Sequence, residues 1–118
     1  MRVSKQKVNA TLEKQLFQIL FQLITDIKSP QEAEIVLKDL LSDVELTTVA
    51  KRISVAYWLS NNRSYTNIKD NLKVSSASIS DIQRDLKKPG WKLVLAKITA
   101  DEWATAWEQR IKRLIKAK

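Results

Sequence analysis

The feature that most constrains the fold is a shortage of the residues that make tight turns. The 118 residues include one glycine and two prolines, whereas 44% of the residues are hydrophobic and 29% are charged. Tight turns draw heavily on glycine and proline, so this composition favours helices joined by short connections over a sheet. A chain of this length closes a hydrophobic core only if most of its helices contribute to it. We therefore predict an all-α, multi-helix fold.

Apolar residues recur at steps of three and four along most of the chain, which is the spacing of amphipathic helices. A wide apolar stripe runs from Leu12 to Ile27, and Ser29 and Ser42 stand where a serine would cap the next two helices. Residues 1–9 are basic and lack this periodicity. We expect residues 1–9 to form a mobile N-terminal arm and residues 10–118 to form a single helical domain.

The residue types that are missing exclude several classes of protein. The chain contains no cysteine and no histidine, so disulfides, the usual zinc sites and histidine-based catalysis are ruled out. The acidic residues at helix starts are explained by capping and by the helix dipole, and no catalytic pair of carboxylates stands out. We expect the protein not to be an enzyme and to use no metal and no cofactor.

Charge and hydropathy indicate the partner and the compartment. A net charge of +8 and a pI near 9.8 predict attraction to polyanions, nucleic acid first and acidic membrane surfaces second. No apolar run is long enough to cross a bilayer, and the basic opening MRVSKQKVNA lacks the apolar centre of a signal peptide. We expect a cytoplasmic protein that does not act at a membrane.

The stretch SYTNIKDNLKVSSASISDIQRDL has the pattern of a helix-turn-helix. In this motif, apolar residues of a short first helix hold a second helix across a capped turn. The anchoring positions are filled by Ile68, Leu72, Val74, Ile79 and Ile82. We place the motif at residues 64–87 and its recognition helix at about residues 76–87.

Serine-rich recognition helices suit the major groove, which is only about 12 Å wide, because small hydroxyl side chains let the backbone approach the bases closely. We expect base contacts from Ser75, Ser76, Ala77, Ser80, Asp81 and Arg84. Basic side chains and the free N–H groups at the start of the first motif helix suit backbone phosphates. We expect phosphate contacts from Arg63, Ser64, Tyr65, Thr66, Lys69, Lys73, Lys87 and Lys88.

The alternative interpretation of this stretch is that it is merely two packed helices with a capped turn. Lys73 favours that alternative, because it stands at the turn position where glycine is common. Lys69 does so too, since it occupies a position of the first helix that is usually small. Both lysines fit the motif if their side chains lie flat and point outward.

Short motifs on either side of the turn match a known family. Leu41, Ser42 and Glu45 form an L-[ST]-x-x-E helix start, Ala50-Lys51-Arg52-Ile53 forms a small-x-R-[IV] step, and Ala77-Ser78-Ile79-Ser80 forms the core of the second motif helix. With these motifs, residues 40–86 resemble the Trp repressor superfamily, including its YerC/YecD-type members. The resemblance covers about the middle 40% of the chain.

The resemblance implies an all-helical DNA-binding regulator that forms an intertwined homodimer, with N-terminal and C-terminal helices shared between the subunits. The apolar stripe from Leu12 to Ile27 and the last helix, which carries Trp103 and Trp107, would suit such an interface. Packing of both helices inside one chain is an alternative of equal weight.

The resemblance does not extend to the ligand. The family's pocket uses an arginine before the motif, matched here by Arg52, and a second arginine followed by glycine in the recognition helix, where this chain has Asp81-Ile82. An aspartate would repel the carboxylate of the ligand, and isoleucine would fill the space that glycine leaves open. We therefore expect no L-tryptophan corepressor. We expect Arg52 to pair with an acid or to lie near DNA.

We predict a sequence-specific, double-stranded-DNA-binding transcriptional regulator, repressor-like and homodimeric, with half-sites about one helical turn apart. The alternative function is a non-enzymatic protein interaction module whose basic charge is incidental. A basic surface around the motif would favour DNA, whereas an exposed apolar patch beside it would favour a protein partner. A third interpretation, in which the C-terminal RIKRLIKAK faces a membrane surface, has less support.

Overall fold

The computed structural model describes residues 2–100 and 102–115, apart from the side chains of residues 102–104. The first residue of the predicted arm, residues 101 and 116–118 of the predicted domain, and the side chain of Trp103 lie outside this description. The described residues form α-helices and no strand, which confirms the all-α class. The helices are α1 (Ala10–Asp26), α2 (Pro30–Leu40), α3 (Asp43–Ser60), α4 (Tyr65–Leu72), α5 (Ser76–Asp85), α6 (Pro89–Thr99) and α7 (Glu102–Leu114).

These helices fall into two compact units. Met1–Ser42 contains α1 and α2, and Asp43–Lys118 contains α3 to α7. Extensive packing in the described part of the chain joins α3 to α4, α5 and α6, and joins α4 to α5. The single domain over residues 10–118 therefore stays a prediction. Residues 2–9 are exposed and form no regular secondary structure, and the mobility of this arm also stays a prediction.

The core of the second unit is built around α3. Its sequence Val55-Ala56-Tyr57-Trp58 is buried, because α4, α5 and α6 all pack against this helix. The remaining buried side chains are Ile68, Ile79 and Ile82, and partly buried residues around them include Leu72, Val74, Leu86, Trp91, Ile111 and Ile115. All five predicted anchors of the motif therefore contribute to this core.

Side-chain caps begin most of the helices that position the motif. Ser29 Oγ accepts a hydrogen bond from the amide of Glu32 (3.1 Å), and Pro30 opens α2, as the sequence predicted. Asn9 caps α1 in the same way through the amide of Leu12 (2.9 Å). Local hydrogen bonding thus explains why these helices start where they do.

The boundaries around Pro89-Gly90 differ from those expected. The recognition helix ends at Asp85 rather than at about residue 87, and Leu86 follows it as the C-cap. Pro89 and Gly90 form the first turn of α6 instead of standing in a loop before it. Proline suits the first position of a helix because its missing N–H has no partner there in any case.

Candidate nucleic-acid interface

Helices α4 and α5 form the predicted helix-turn-helix. Ser64 Oγ accepts a hydrogen bond from the amide of Asn67 (3.1 Å) and so begins α4, while Ser75 Oγ accepts one from the amide of Ser78 (3.1 Å) and so begins α5. Ile68 and Ile79 are fully buried between the two helices and α3. The motif is therefore a fixed part of the second unit.

The turn between the two helices centres on Lys73. Its backbone is left-handed, with φ 56° and ψ 54°, which is the conformation that usually requires glycine. Its carbonyl accepts a hydrogen bond from Lys51 Nζ of α3 (3.3 Å), and its own side chain is exposed. Lys73 thus keeps the normal geometry of the turn and turns its ammonium group toward solvent.

The outward face of α5 is made of small and polar side chains. Ile79 and Ile82 face the core, whereas Ser76, Ala77 and Ser80 are exposed on the other side of the helix. Such a surface lets the helix backbone approach another large molecule closely. The structure thus brings the predicted base-contacting residues of α5 together on one face.

An ion-pair chain occupies the second half of this face. Arg84 Nη2 lies 3.1 Å from Asp81 Oδ1, and Arg84 Nε lies 3.9 Å from Asp85 Oδ1. Lys88 Nζ lies 3.3 Å from the same oxygen of Asp85. Arg84 and Lys88 are about two-thirds exposed, so solvent screens these pairs and they contribute little stability. Both cations can exchange a carboxylate for a phosphate or a base edge.

The remaining predicted phosphate contacts lie on both sides of the motif. Thr66, Lys69, Lys73 and Lys87 are exposed, and no described acidic group forms an ion pair with these three lysines. The hydroxyl of Tyr65 donates a hydrogen bond to Gln83 Oε1 of α5. Gln83 is a residue that the sequence did not single out, because its partner lies 18 positions away.

Two predicted contact residues are engaged elsewhere. The guanidinium of Arg63 pairs with Glu108 of α7 and lies over the ring of Trp58, and its side chain is only 11% exposed, so it does not present a free cation to phosphate. The hydroxyl of Ser75 accepts from the amide of Ser78 and donates to Ser78 Oγ (2.9 Å), which leaves it committed to the cap. We therefore leave Arg63 and Ser75 out of the proposed contacts.

The surface of the motif lacks a large apolar patch. Between residues 61 and 88, which are all described, Tyr65 is the single exposed large hydrophobic side chain. The exposed apolar residues of the chain lie mainly on α1. By the criterion set from the sequence, this surface favours nucleic acid over a protein partner at the motif.

A cavity of about 450 Å³ lies beneath the recognition helix, among α3, α5 and α6. Arg52 and Asp81, the two positions that the resemblance assigns to the family's ligand pocket, both line it. Asp85, Trp91, Val55 and Ile82 complete much of the wall. No described acid forms an ion pair with Arg52. In this cavity an acid therefore occupies the position where the family has its second arginine.

The fold and the motif define the class of this protein, an all-helical helix-turn-helix protein. The family model described as Trp repressor protein matches residues 15–99, so the chain belongs to the Trp repressor family. Its fold is similar to the crystal structure of a TrpR-like protein from Eubacterium eligens ATCC 27750, with a TM-score of 0.67 and 29% sequence identity. That match covers 76% of this chain and 95% of the other. No match was found among curated proteins.

The family is one of DNA-binding regulators rather than enzymes. Among the described residues, no three acidic side chains lie close enough together to hold a metal ion. None of the described helices has the length and apolar content needed to cross a membrane.

Proposed function

We propose that this protein is a cytoplasmic, sequence-specific regulator of transcription that binds double-stranded DNA and acts as a repressor. The observation that carries the proposal is the capped helix-turn-helix whose second helix turns Ser76, Ala77, Ser80, Asp81 and Arg84 outward. Exposed lysines flank this face, and no apolar patch competes with it. Base contacts come from α5, and phosphate contacts come from the start of α4 and from Lys69, Lys73, Lys87 and Lys88.

The protein acts in this proposal as a homodimer that reads two half-sites about one helical turn apart. The support comes from α1, whose apolar side chains are all exposed in a single chain. Contiguous apolar surfaces of this kind mark interaction sites. The same helix is the observation that favours the alternative function, a protein interaction module, if its partner is a different protein.

The test is a fluorescence-polarisation titration against random-sequence duplex DNA at two salt concentrations. We compare wild type with the Lys73→Ala, Arg84→Ala double variant and with a matched Lys97→Ala, Lys112→Ala control, which removes the same charge from α6 and α7. The slope of log affinity against log salt should fall by about one to two for the motif variant and should change little for the control. Equal losses in both variants would mean that net charge alone drives binding, and absent binding at low salt would leave the interaction-module function in the lead.

We also propose that L-tryptophan is not a corepressor. Asp81 lines the cavity opposite Arg52 and repels the carboxylate of an amino acid. Adding L-tryptophan in a titration calorimeter should release no binding heat, and it should leave the DNA affinity unchanged. A rise in DNA affinity of about tenfold or more would contradict this proposal. Asp81→Ala, which removes the repulsion, is the variant in which weak binding of L-tryptophan is expected first.

A further inference from the structure

One ion pair in the described part of the chain is largely buried, and it joins two distant segments. Arg63 lies in the connection between α3 and α4, and Glu108 lies in α7, 45 positions later. Their side chains are 11% and 19% exposed, whereas the ion pairs that involve Arg84 and Lys38 are largely open to solvent. A buried charge that loses its partner is costly, so neither member of this pair can be removed without consequence.

Several further contacts fix the pair in place. The guanidinium of Arg63 lies 4.9 Å from the centre of the Trp58 ring, a cation-π geometry. Asn61 Nδ2 donates to Glu108 Oε2 and to the carbonyl of Tyr57, each at 3.3 Å. The amide of Arg63 donates to the carbonyl of Trp58 (3.2 Å). The connection before α4 is thus tied on one side to the end of α3 and on the other to α7.

This connection leads directly into the candidate DNA interface. Arg63 is followed by Ser64, whose side chain and carbonyl accept the first hydrogen bonds of α4 from Asn67 and Ile68. The next residue, Tyr65, is hydrogen-bonded to Gln83 of the recognition helix. A shift of the connection would therefore displace the proposed phosphate contacts at the start of α4 and disturb α5 as well.

We propose that Glu108 is a positioning residue for DNA binding. By neutralising and holding Arg63, it sets the place of the α3–α4 connection, so that α7 controls how the start of α4 meets the phosphate backbone. Arg63 is an internal anchor in this arrangement and not a phosphate contact. The inference rests on the proposed function for its effect on DNA, but its structural part can be measured without DNA.

The test is Glu108→Gln, which removes the negative charge with almost no change in shape. The matched control is Glu34→Gln in α2, which changes the net charge by the same amount at an exposed ion pair. Measured on folded protein and random-sequence duplex, Glu108→Gln should bind roughly fivefold more weakly than the control. Its salt slope should also be lower by about one, because a phosphate contact at the start of α4 is lost.

A phosphate contact by Arg63 predicts the opposite sign. If Arg63 contacted DNA, Glu108→Gln would release a cation and would bind more tightly than Glu34→Gln. Tighter binding, or binding equal to that of the control, overturns the proposal. If Glu108→Gln does not fold, Glu108→Asp replaces it, because it keeps the charge but draws the carboxylate away from Arg63, and it should weaken binding in the same direction.

Hydrogen exchange separates this inference from the proposed function. In Glu108→Gln the amides of Arg63, Asn67 and Ile68 should exchange faster, while the amide of Ile79 in α5 should keep its wild-type rate. If wild type binds no duplex DNA, the proposed function fails and the exchange rates alone decide whether Glu108 positions the connection. Unchanged exchange at Arg63 and Asn67, or equally faster exchange at Ile79, overturns the positioning role.

Discussion

Helices α1 and α3 have similar lengths and opposite fates. α1 (Ala10–Asp26) has the wider and more regular apolar stripe, yet none of its residues is buried. α3 (Asp43–Ser60) has the weaker segregation of apolar and polar faces, yet it supplies four buried residues to the core of its unit. The difference teaches that an amphipathic pattern shows which face avoids water but does not show what will cover that face.

The physical reason is the number of neighbours that the chain can bring to each helix. The short connections after α3 return α4, α5 and α6 to it, so that residues on several sides of α3 lose their contact with water. No comparable packing reaches α1 from the described residues. Leaving a stripe of leucine, isoleucine and phenylalanine in water is unfavourable, which is why a second copy of the chain is the partner proposed for it.

The largest effect should come from the core of the second unit. Ile68 is fully buried, so Ile68→Ala should lower the free energy of unfolding by about 3 kcal/mol through lost burial and the cavity that remains. Urea denaturation followed by circular dichroism measures this change. The control is Ile35→Ala in α2, which alters a 68% exposed side chain and should cost less than about 0.5 kcal/mol. Similar losses in both variants would mean that the two units do not differ in burial.

The next effect concerns the exposed stripe of α1. Leu16→Asp with Leu20→Asp should raise the dissociation constant of the proposed dimer by roughly 100-fold, because two charges replace apolar side chains at the interface. Sedimentation velocity over a range of concentrations measures the constant. Gln15→Asp with Gln18→Asp adds the same charge to the polar side of α1 and should leave the dimer intact. A wild type that stays monomeric at every concentration would refute the dimer.

A smaller effect, of opposite sign, is expected at the turn of the motif. Lys73→Gly should stabilise the protein by about 0.5 kcal/mol, because glycine adopts the left-handed conformation without strain, although it also increases the entropy of the unfolded chain. Thermal unfolding measures the change. Lys69→Gly, inside α4, should instead destabilise the protein by about 1 kcal/mol. Destabilisation by Lys73→Gly would show that the lysine side chain contributes more than the strain costs.

The smallest effect should come from the exposed ion pair of the first unit. Lys38 Nζ and Glu34 Oε2 lie 3.2 Å apart at positions i and i+4 of α2, with both side chains mostly in solvent. Glu34→Gln should therefore change the free energy of unfolding by about 0.3 kcal/mol or less. The same urea titration used for the core variants measures it. A loss comparable to that of Glu108→Gln would mean that burial does not distinguish the two ion pairs.

Local signals predicted the motif well. The serines before α4 and α5 stand where a cap is needed, and the apolar residues that follow them recur at helical spacing, so the positions of both helices followed from the residues themselves. Ile68, Ile79 and Ile82 were predicted as anchors and are buried. The C-terminal end of the recognition helix was placed two residues too far, since Leu86 ends the helix in a backbone conformation that is still close to helical.

The fates of individual polar side chains were predicted less well. Arg63 looks like an exposed cation beside the motif, but Glu108 lies 45 positions away and no local pattern announces it. Gln83 and Lys51 also act through partners that are distant in sequence. Ser75 was assigned to bases, although the cap that it provides uses both hydrogen-bonding functions of its hydroxyl.

The amino-acid sequence by itself determined the helical class, the helix-turn-helix and its capped starts, because these depend on periodicity and on hydrogen bonds between residues a few positions apart. Only the tertiary structure decided that Arg63 belongs to an internal ion pair and that the stripe of α1 stays exposed in one chain. Both depend on which distant segments the fold brings together. The acid of α7 that reaches Arg63 and the packing that covers α3 but not α1 are properties of that arrangement, not of any local pattern.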